Sequence, residues 1–375
     1  MQEASMLWLS RCFSDVPDPR TGNAVRHDLL EVLTIALTAA ICGAETCVDF
    51  ADFAADREAL FRSFLKLENG LPSHDTFSRL FRLIDPGVFS ACFTRFVEAL
   101  GERGEGVLAI DGKTLRRSFD KAAGRSALHV VSAFACERRL VIGQATVAEG
   151  GNEITAAREL LKLLDLTGML VTGDAIHCQS QTAELIAARK GDWLFALKDN
   201  RPAMRRAVEA VFADTAQALP THVTTDADHG RLEVRTHKVS QEIDWLFSDR
   251  RYAGEPVLPG LRTIAMVEAA VTTDGATTTS RRLYVSSAPL SAEAFAQAVR
   301  AHWAIENSLH WVLDTTFDED RARNRKDHGP ANLAILRKLA LNVLQSARKD
   351  ISIRRKRKRS GWSDDFARSI LGQMR

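Results

Sequence analysis

The order of the apolar runs between residues 107 and 198 restricts the fold of this chain more than any other feature. VLAID (107–111), LHVVSAFAC (128–136) and LVIGQATVA (140–148) read as strands, with the charged Glu137-Arg138-Arg139 as the connection between the last two. Residues 153–164 read as an amphipathic helix, MLVTGD (169–174) as a fourth strand, 179–190 as a helix and DWLFALK (192–198) as a fifth strand. Three strands followed by helix, strand, helix and strand predict an α/β fold, a mixed sheet flanked by helices.

The flanking regions have different textures. Residues 1–104 read as an all-helical domain, with an apolar run at 29–44, a helix-like segment at 50–67 and a helix at 73–84. The run at 29–44 is interrupted by Glu31 and is shorter than the ~20 residues needed to cross a bilayer, so it predicts a buried helix and no membrane partner. In the third segment Ser73 is placed as an N-cap, Phe77, Leu80, Phe81 and Ile84 recur at helical spacing, and Pro86 supplies a stop. The polar Ser73, His74, Asp75, Thr76 and Arg79 fit either a helix-turn-helix DNA reader or a helical domain with a solvated face.

Residues 214–288 alternate in β fashion (HGRLEVRTHKVS, LRTIAMVEAAVTT, RRLYVSSA) and predict a β-rich insertion. Helices at about 291–314 and 330–348 then close the globule. The resulting division is a helical domain at 1–104, an α/β domain from 105–213 and 289–347, the insertion at 214–288, and a basic tail at 348–375.

Charge enters through that tail. The chain as a whole balances 50 Lys+Arg against 48 Asp+Glu, which alone argues against a nucleic-acid binder. Yet RKDISIRRKRKR (348–359) carries eight basic residues and one acidic, so the remainder is net negative. Such a run is either a solvated flexible tail or a phosphate-binding arm whose grip weakens steeply with salt. The six cysteines (Cys12, Cys42, Cys47, Cys92, Cys136, Cys178) form no Cys-x-x-Cys pair and read as reduced, packed thiols. The N-terminal stretch lacks a signal-peptide pattern, and the expectation is a cytoplasmic protein.

Two aspartates stand where chemistry is expected. Asp111 ends VLAID and Asp174 ends MLVTGD, and open α/β sheets bind ligands at the carboxyl ends of strands. Either residue alone also fits a simple turn cap; both together favour a hard divalent cation between them. On the helix 291–314, Phe295, Val299, His302, Glu306, Leu309 and Leu313 follow steps of four and three and share one face. A glutamate in a core-facing stripe is either paired with a neighbouring His or Arg or bound to metal. His177 and His310 lie near these positions and read as structural histidines or as residues that tune the site. Trp245 reads either as a packed β-core residue or as a stacking platform for a frayed base.

The segments AIDGKTLRRS, VTGDAIHCQ, LKDN, HGRLEVR and HWAIENSLHWVLDTTFDEDRARNR resemble the H-repeat-associated family of bacterial insertion-sequence DDE transposases. VPDPRTGNAVRHDLLEVLTIAL and LPSHDTFSRLF resemble that family's N-terminal helical domain, so the likeness runs over about residues 15–347. The resemblance implies an RNase H-like fold in which Asp111, Asp174 and Glu306 are the catalytic and metal-binding triad for two Mg²⁺ or Mn²⁺ ions. It implies cleavage of double-stranded DNA at terminal inverted repeats, strand transfer by the freed 3′-OH into target DNA, and a homodimer on nucleoid-associated DNA. Related enzymes surround the Glu with a Tyr, an Arg and a Lys, and here Val299, His302 and Leu313 stand in those places. DNA positioning therefore falls to His302 together with Lys113, Arg116, Lys198, Asn200, Arg321, Arg323 and Arg325. An inactive DNA-binding remnant and an RNase H-like nuclease without strand transfer are the alternatives.

Overall fold

The apolar run near the N-terminus forms helix α1 (Leu29–Cys42), capped by the Asp28 carboxylate and closed by Gly43 in the left-handed conformation. The computed structural model describes residues 13–99, 106–213, 218–228, 230–247, 258–347 and 349–372. Nearly every side of α1 is buried, which accounts for its weak polar pattern. The segment expected as one helix over 50–67 is two, α2 (Cys47–Asp56) and α3 (Glu58–Arg62). Helix α4 (His74–Leu83) buries Phe77, Leu80 and Phe81 as their spacing predicts. Ser73 occupies its N-cap, but the hydroxyl lies 3.3 Å from Thr76 Oγ1 and caps no backbone amide. Pro86 opens the next helix, α5 (Pro86–Ala99). Among the described residues no single helix is long and apolar enough to cross a membrane.

Strand β1 (Gly106–Thr114) lies inside the sheet. It pairs antiparallel with β2 (His129–Ala135), and β2 with β3 (Leu140–Thr146). After α6 (Glu153–Leu163), β4 (Met169–Gly173) joins β1 in parallel. After α7 (Ser180–Ala188), β5 (Asp192–Leu197) joins β4 in parallel. A helix that the sequence reading did not mark, α8 (Pro202–Ala213), follows.

The region 214–288 does not form a sheet of its own. Strands β6 (Thr221–Asp228), β7 (Arg231–Ser240), β8 (Thr263–Thr273) and β9 (Ala276–Ser286) form antiparallel neighbours, and β9 pairs with β5. One 9-stranded sheet results, in the order β3-β2-β1-β4-β5-β9-β8-β7-β6. The register Leu194–Ser286 through Leu197–Leu283 satisfies the free edge of β5 and makes the insertion a continuation of the central sheet.

Helices cover both faces. Leu108 and Ile110 of β1 pack with α6 and α7, and Val107 and Ala109 pack in the opposite core with the N-terminal helices. On that second face lie α9 (Ala292–His302), a π-helical segment over Ile305–His310, α10 (Trp311–Thr316) and α11 (Gly329–Ser346). Buried α11 joins the helical region to the sheet. The Asn332 amide donates to Phe81 O and Ile84 O, and Asn342 exchanges both backbone bonds with Val141.

The basic run is not a loose tail. It folds as α12 (Ile353–Trp362), followed by α13 (Asp364–Leu371), because Lys356 and Arg357 are buried against the ends of older helices. Cys42, Cys47, Cys92, Cys136 and Cys178 are buried thiols, while Cys12 lies outside the described residues.

Candidate active site

In the parallel pair β1–β4, Ile110 stands opposite Gly173, so the next residue of each strand is an aspartate. Asp174 follows the end of β4, whereas the strand expected to end on Asp111 continues to Thr114 against β2, so Asp111 lies inside β1 where its pairing with β4 stops. Alternation sends Asp111 to the face of Val107 and Ala109, and Asp174 to the face of Thr172. That face carries α9, where Thr172 Oγ1 and His302 Nδ1 lie 2.8 Å apart. Gly112 turns to the reverse face, where a Cβ would stand 2.4 Å from both Glu153 Oε2 and His129 Nε2. A larger residue beside Asp111 would have to displace the Glu153 and His129 side chains.

Glu306 and His310 lie in the widened π-helical turn that follows α9. His310 Nδ1 is 3.5 Å from Asp111 Oδ2 and 3.5 Å from Glu306 Oε2. One ligand atom from each of Asp111, Glu306 and His310 lies within 4.8 Å of the others. Burial, and then the Glu306 charge beside it, push the Asp111 carboxyl up to about 8. Burial likewise drives His310 down to about 4 against the pull of Glu306, so its imidazole is neutral near pH 7. Its Nε2 is buried without a hydrogen-bond partner among the described residues.

Glu306 departs from the expected core-facing position. Its side chain is 62% exposed and forms a wall of the cleft, while Phe295, Leu309 and Leu313 of the same stripe are buried. Two carboxyl groups held so close that, without a cation, Asp111 keeps its proton, beside a neutral imidazole, fit a hard divalent cation that would take the proton's place.

The cleft has a volume of about 690 Å³ and is lined by Asp111, Thr172, Asp174, Lys198, His302 and Glu306, among others. Asp174 is exposed, and Lys198 Nζ reaches to 4.0 Å from its Oδ2. The Asn200 amide donates to Ala175 O at 2.6 Å and braces the turn that carries Asp174.

The other cations expected to hold DNA lie off the cleft lining. Lys113 is bound by Asp314 and lies 3.1 Å from buried Glu319, leaving it no free face for a phosphate. Arg116 pairs with Asp320 at 3.3 Å and Arg321 with Asp318 at 3.6 Å, both with exposed side chains. Arg325 donates to Arg117 O and stacks on Phe119, and Arg323 is exposed.

Of the two histidines read as structural or site-tuning, His310 lies between the carboxylates, four residues from Glu306. His177 joins a bracket behind Asp111, where Glu153 meets His129 Nε2 at 2.7 Å and His177 Nε2 at 3.2 Å. The parts of that bracket the sequence does not mark are Glu153 and His129. Hydrogen bonds from His177 and His129 hold the Glu153 carboxyl below its ordinary range.

Comparison with known proteins shows the family by sequence. The profile described as "Transposase DDE domain" matches residues 102–343, and "DDE_Tnp_1-associated" matches residues 10–97. The chain is 36% identical over 367 residues to "H repeat-associated putative transposase YhhI" of Escherichia coli (strain K12), covering 96% of each. It is equally identical, over the same length and coverage, to "Putative protein YbfL" of that strain. The cryo-EM structure of the piggyBac transposase synaptic complex with hairpin DNA superposes with a TM-score of 0.43 at 11% identity, covering 100% of this chain and 77% of that one. The chain therefore belongs to the DDE transposase family, in its H repeat-associated group.

Proposed function

We propose that this protein cuts DNA at the ends of its element and joins the freed 3′-OH to a target strand, in a cut-and-paste transposition that depends on divalent metal. The observation that carries this reading is the meeting of Asp111 and Glu306 in an open cleft, with Asp174 on the adjacent strand end. The same placement supports an RNase H-like reading of β1–β5, with 105–213 and 289–347 as the catalytic domain and 1–104 as the DNA-binding domain.

Asp111, Asp174 and Glu306 would hold Mg²⁺ or Mn²⁺, two ions in all, and these when bound would supply Lewis acidity at the phosphate and an activated water. The chain's own residues do the rest. Asp111 and Glu306 stay close because the sheet and the π-turn fix them before substrate arrives. Lys198 extends from the end of β5 to the cleft and offers a cation to a phosphate oxygen. His302, oriented by Thr172, offers its remaining ring nitrogen to the same backbone. No covalent nucleophile is required, and positioning with electrostatics supplies the catalysis. Double-stranded DNA carrying the terminal inverted repeats is the substrate, and joining two ends calls for a homodimer on DNA inside the cytoplasm.

The test is metal-dependent nicking of a duplex that carries the repeats flanking the gene. Asp111→Asn and Glu306→Gln should each abolish it, and nicking that persists in either variant removes these residues from the site.

A further inference from the structure

Helix α12 has two unlike faces. At 3.6 residues per turn, Arg354, Arg355, Lys358, Arg359 and Trp362 fall within an arc of about 140°. All five are exposed, Trp362 at 73%, and the helix contains no acidic residue. The opposite face is clamped. Lys356 Nζ donates to Leu344 O and Ala347 O at 2.9 Å each, capping the end of α11. Arg357 donates to Ala40 O at 3.0 Å, to Ala44 O at 2.9 Å and to Thr316 O. Gly361 lies so close to α1 that a Cβ would meet Cys42 O at 2.4 Å. Arg57 pins the far end through Gly361 O at 2.9 Å and Asp364 at 2.7 Å.

Two of the basic residues are thus spent on structure, and they hold the others at a fixed place. Thr316 is the last residue of α10, ten residues beyond Glu306, or about 15 Å along a helix at 1.5 Å per residue. The exposed stripe from Arg354 to Trp362 spans about 12 Å, a length of duplex axis along which each strand carries three to four phosphates at about 3.4 Å of axis apiece.

We propose that the outer face of α12 is a preformed, sequence-independent binding site for the phosphate backbone of duplex DNA flanking the cut. Arg354, Arg355 and Lys358 contact phosphates, Arg359 is steered by its stacking 4.4 Å over Phe366, and Trp362 offers its indole N–H at the end of the row. A free arm would lose conformational freedom on binding, and a clamped helix does not. This proposal rests on the chain's acting on DNA but names a surface outside the carboxylate cleft.

The test measures binding of the full-length chain, without divalent metal, to a labelled duplex of roughly 30 base pairs by anisotropy across a salt series. For Arg354→Glu/Arg355→Glu/Lys358→Glu, affinity should fall at least tenfold at low salt, equally for two unrelated sequences. In Arg354→Ala/Lys358→Ala the slope of log K against log salt should become shallower by about 2, at about 0.9 per phosphate lost. Thermal unfolding of both variants should match the wild type, because the altered side chains are exposed. Wild-type affinity and slope in the folded variants overturn the proposal, and so does a wild type that does not bind duplex. Nicking that survives while binding ignores α12 sinks this inference alone. Helix-dependent binding without any nicking sinks the proposed catalysis alone.

Discussion

Asp111 and Glu306 meet where the pairing of β1 with β4 stops, and the same His310 nitrogen lies 3.5 Å from each carboxylate. The fold holds two carboxyl groups so close that one of them keeps its proton, and that arrangement has measurable consequences before any DNA is bound.

The first is a dependence of stability on pH. With Asp111 raised from 3.8 to about 8, the folded chain keeps a proton over that range that the unfolded chain has lost. Its effect is therefore to lower stability as pH rises from about 4 to 8. His310, depressed from 6.5 to about 4, acts in the opposite sense below 6.5, where the unfolded chain holds the proton. The two effects offset each other below about 6.5, and of this pair only Asp111 still acts above it. The Tm of the metal-free protein should fall between pH 6.5 and 8, and both Mg²⁺ and Asp111→Asn should flatten that fall. A decline of the same size in Asp111→Asn would assign it to another group.

His310 should matter to metal binding. Outer partners of metal sites commonly change affinity by about 10–100-fold, and His310→Ala is expected to weaken Mn²⁺ binding by that order in calorimetry. His310→Asn, which can place a polar atom near the Nδ1 position, should recover part of the loss. Equal Mn²⁺ affinity in wild type and His310→Ala would reduce the residue to packing.

Gly112→Ala is a local test of the bracket behind the site. The added methyl would overlap Glu153 and His129, and overpacking of this kind costs about 1–3 kcal/mol. Urea unfolding should report that loss, with nicking reduced because Asp111 is the preceding residue. An unchanged midpoint would mean that the Glu153–His129 pair yields freely.

Glu319 is the counter-charge for a buried set of cations. It lies 3.1 Å from Lys113 and 4.0 Å from Arg337, and Lys338 beside it is pushed down to about 8 by burial. Removing one partner from a buried ionic group costs about 3–5 kcal/mol, so Glu319→Ala should unfold at much lower urea. Loss of less than about 1 kcal/mol, the scale of an exposed pair, would show that water already screens the group.

The apolar runs up to Asp111 and Asp174 were legible as neighbouring strands because they need only local pattern, but the continuation of β1 to Thr114 depends on its pairing with β2. The π-turn was not legible, since residues four apart read as neighbours in either kind of helix, and so the exposure of Glu306 was missed. Lys113 read as free because its partners, Asp314 and Glu319, lie about 200 residues away. Lys356 and Arg357 read as part of a solvated tail or a phosphate-binding arm, because no local pattern marks a basic side chain as a donor to helix ends. Their acceptors include the carbonyl ends of α1 and α10, which only the assembled fold brings together.

The most direct test of the account is transfer of an end-labelled strand, carrying the element's terminal repeat, to an unlabelled plasmid in Mg²⁺. Wild-type protein should yield a nick with a 3′-OH and then a labelled plasmid, and Glu306→Gln should yield neither. Nicking without any labelled plasmid would mark the protein as a nuclease, and a labelled plasmid formed by Glu306→Gln would contradict the proposed site.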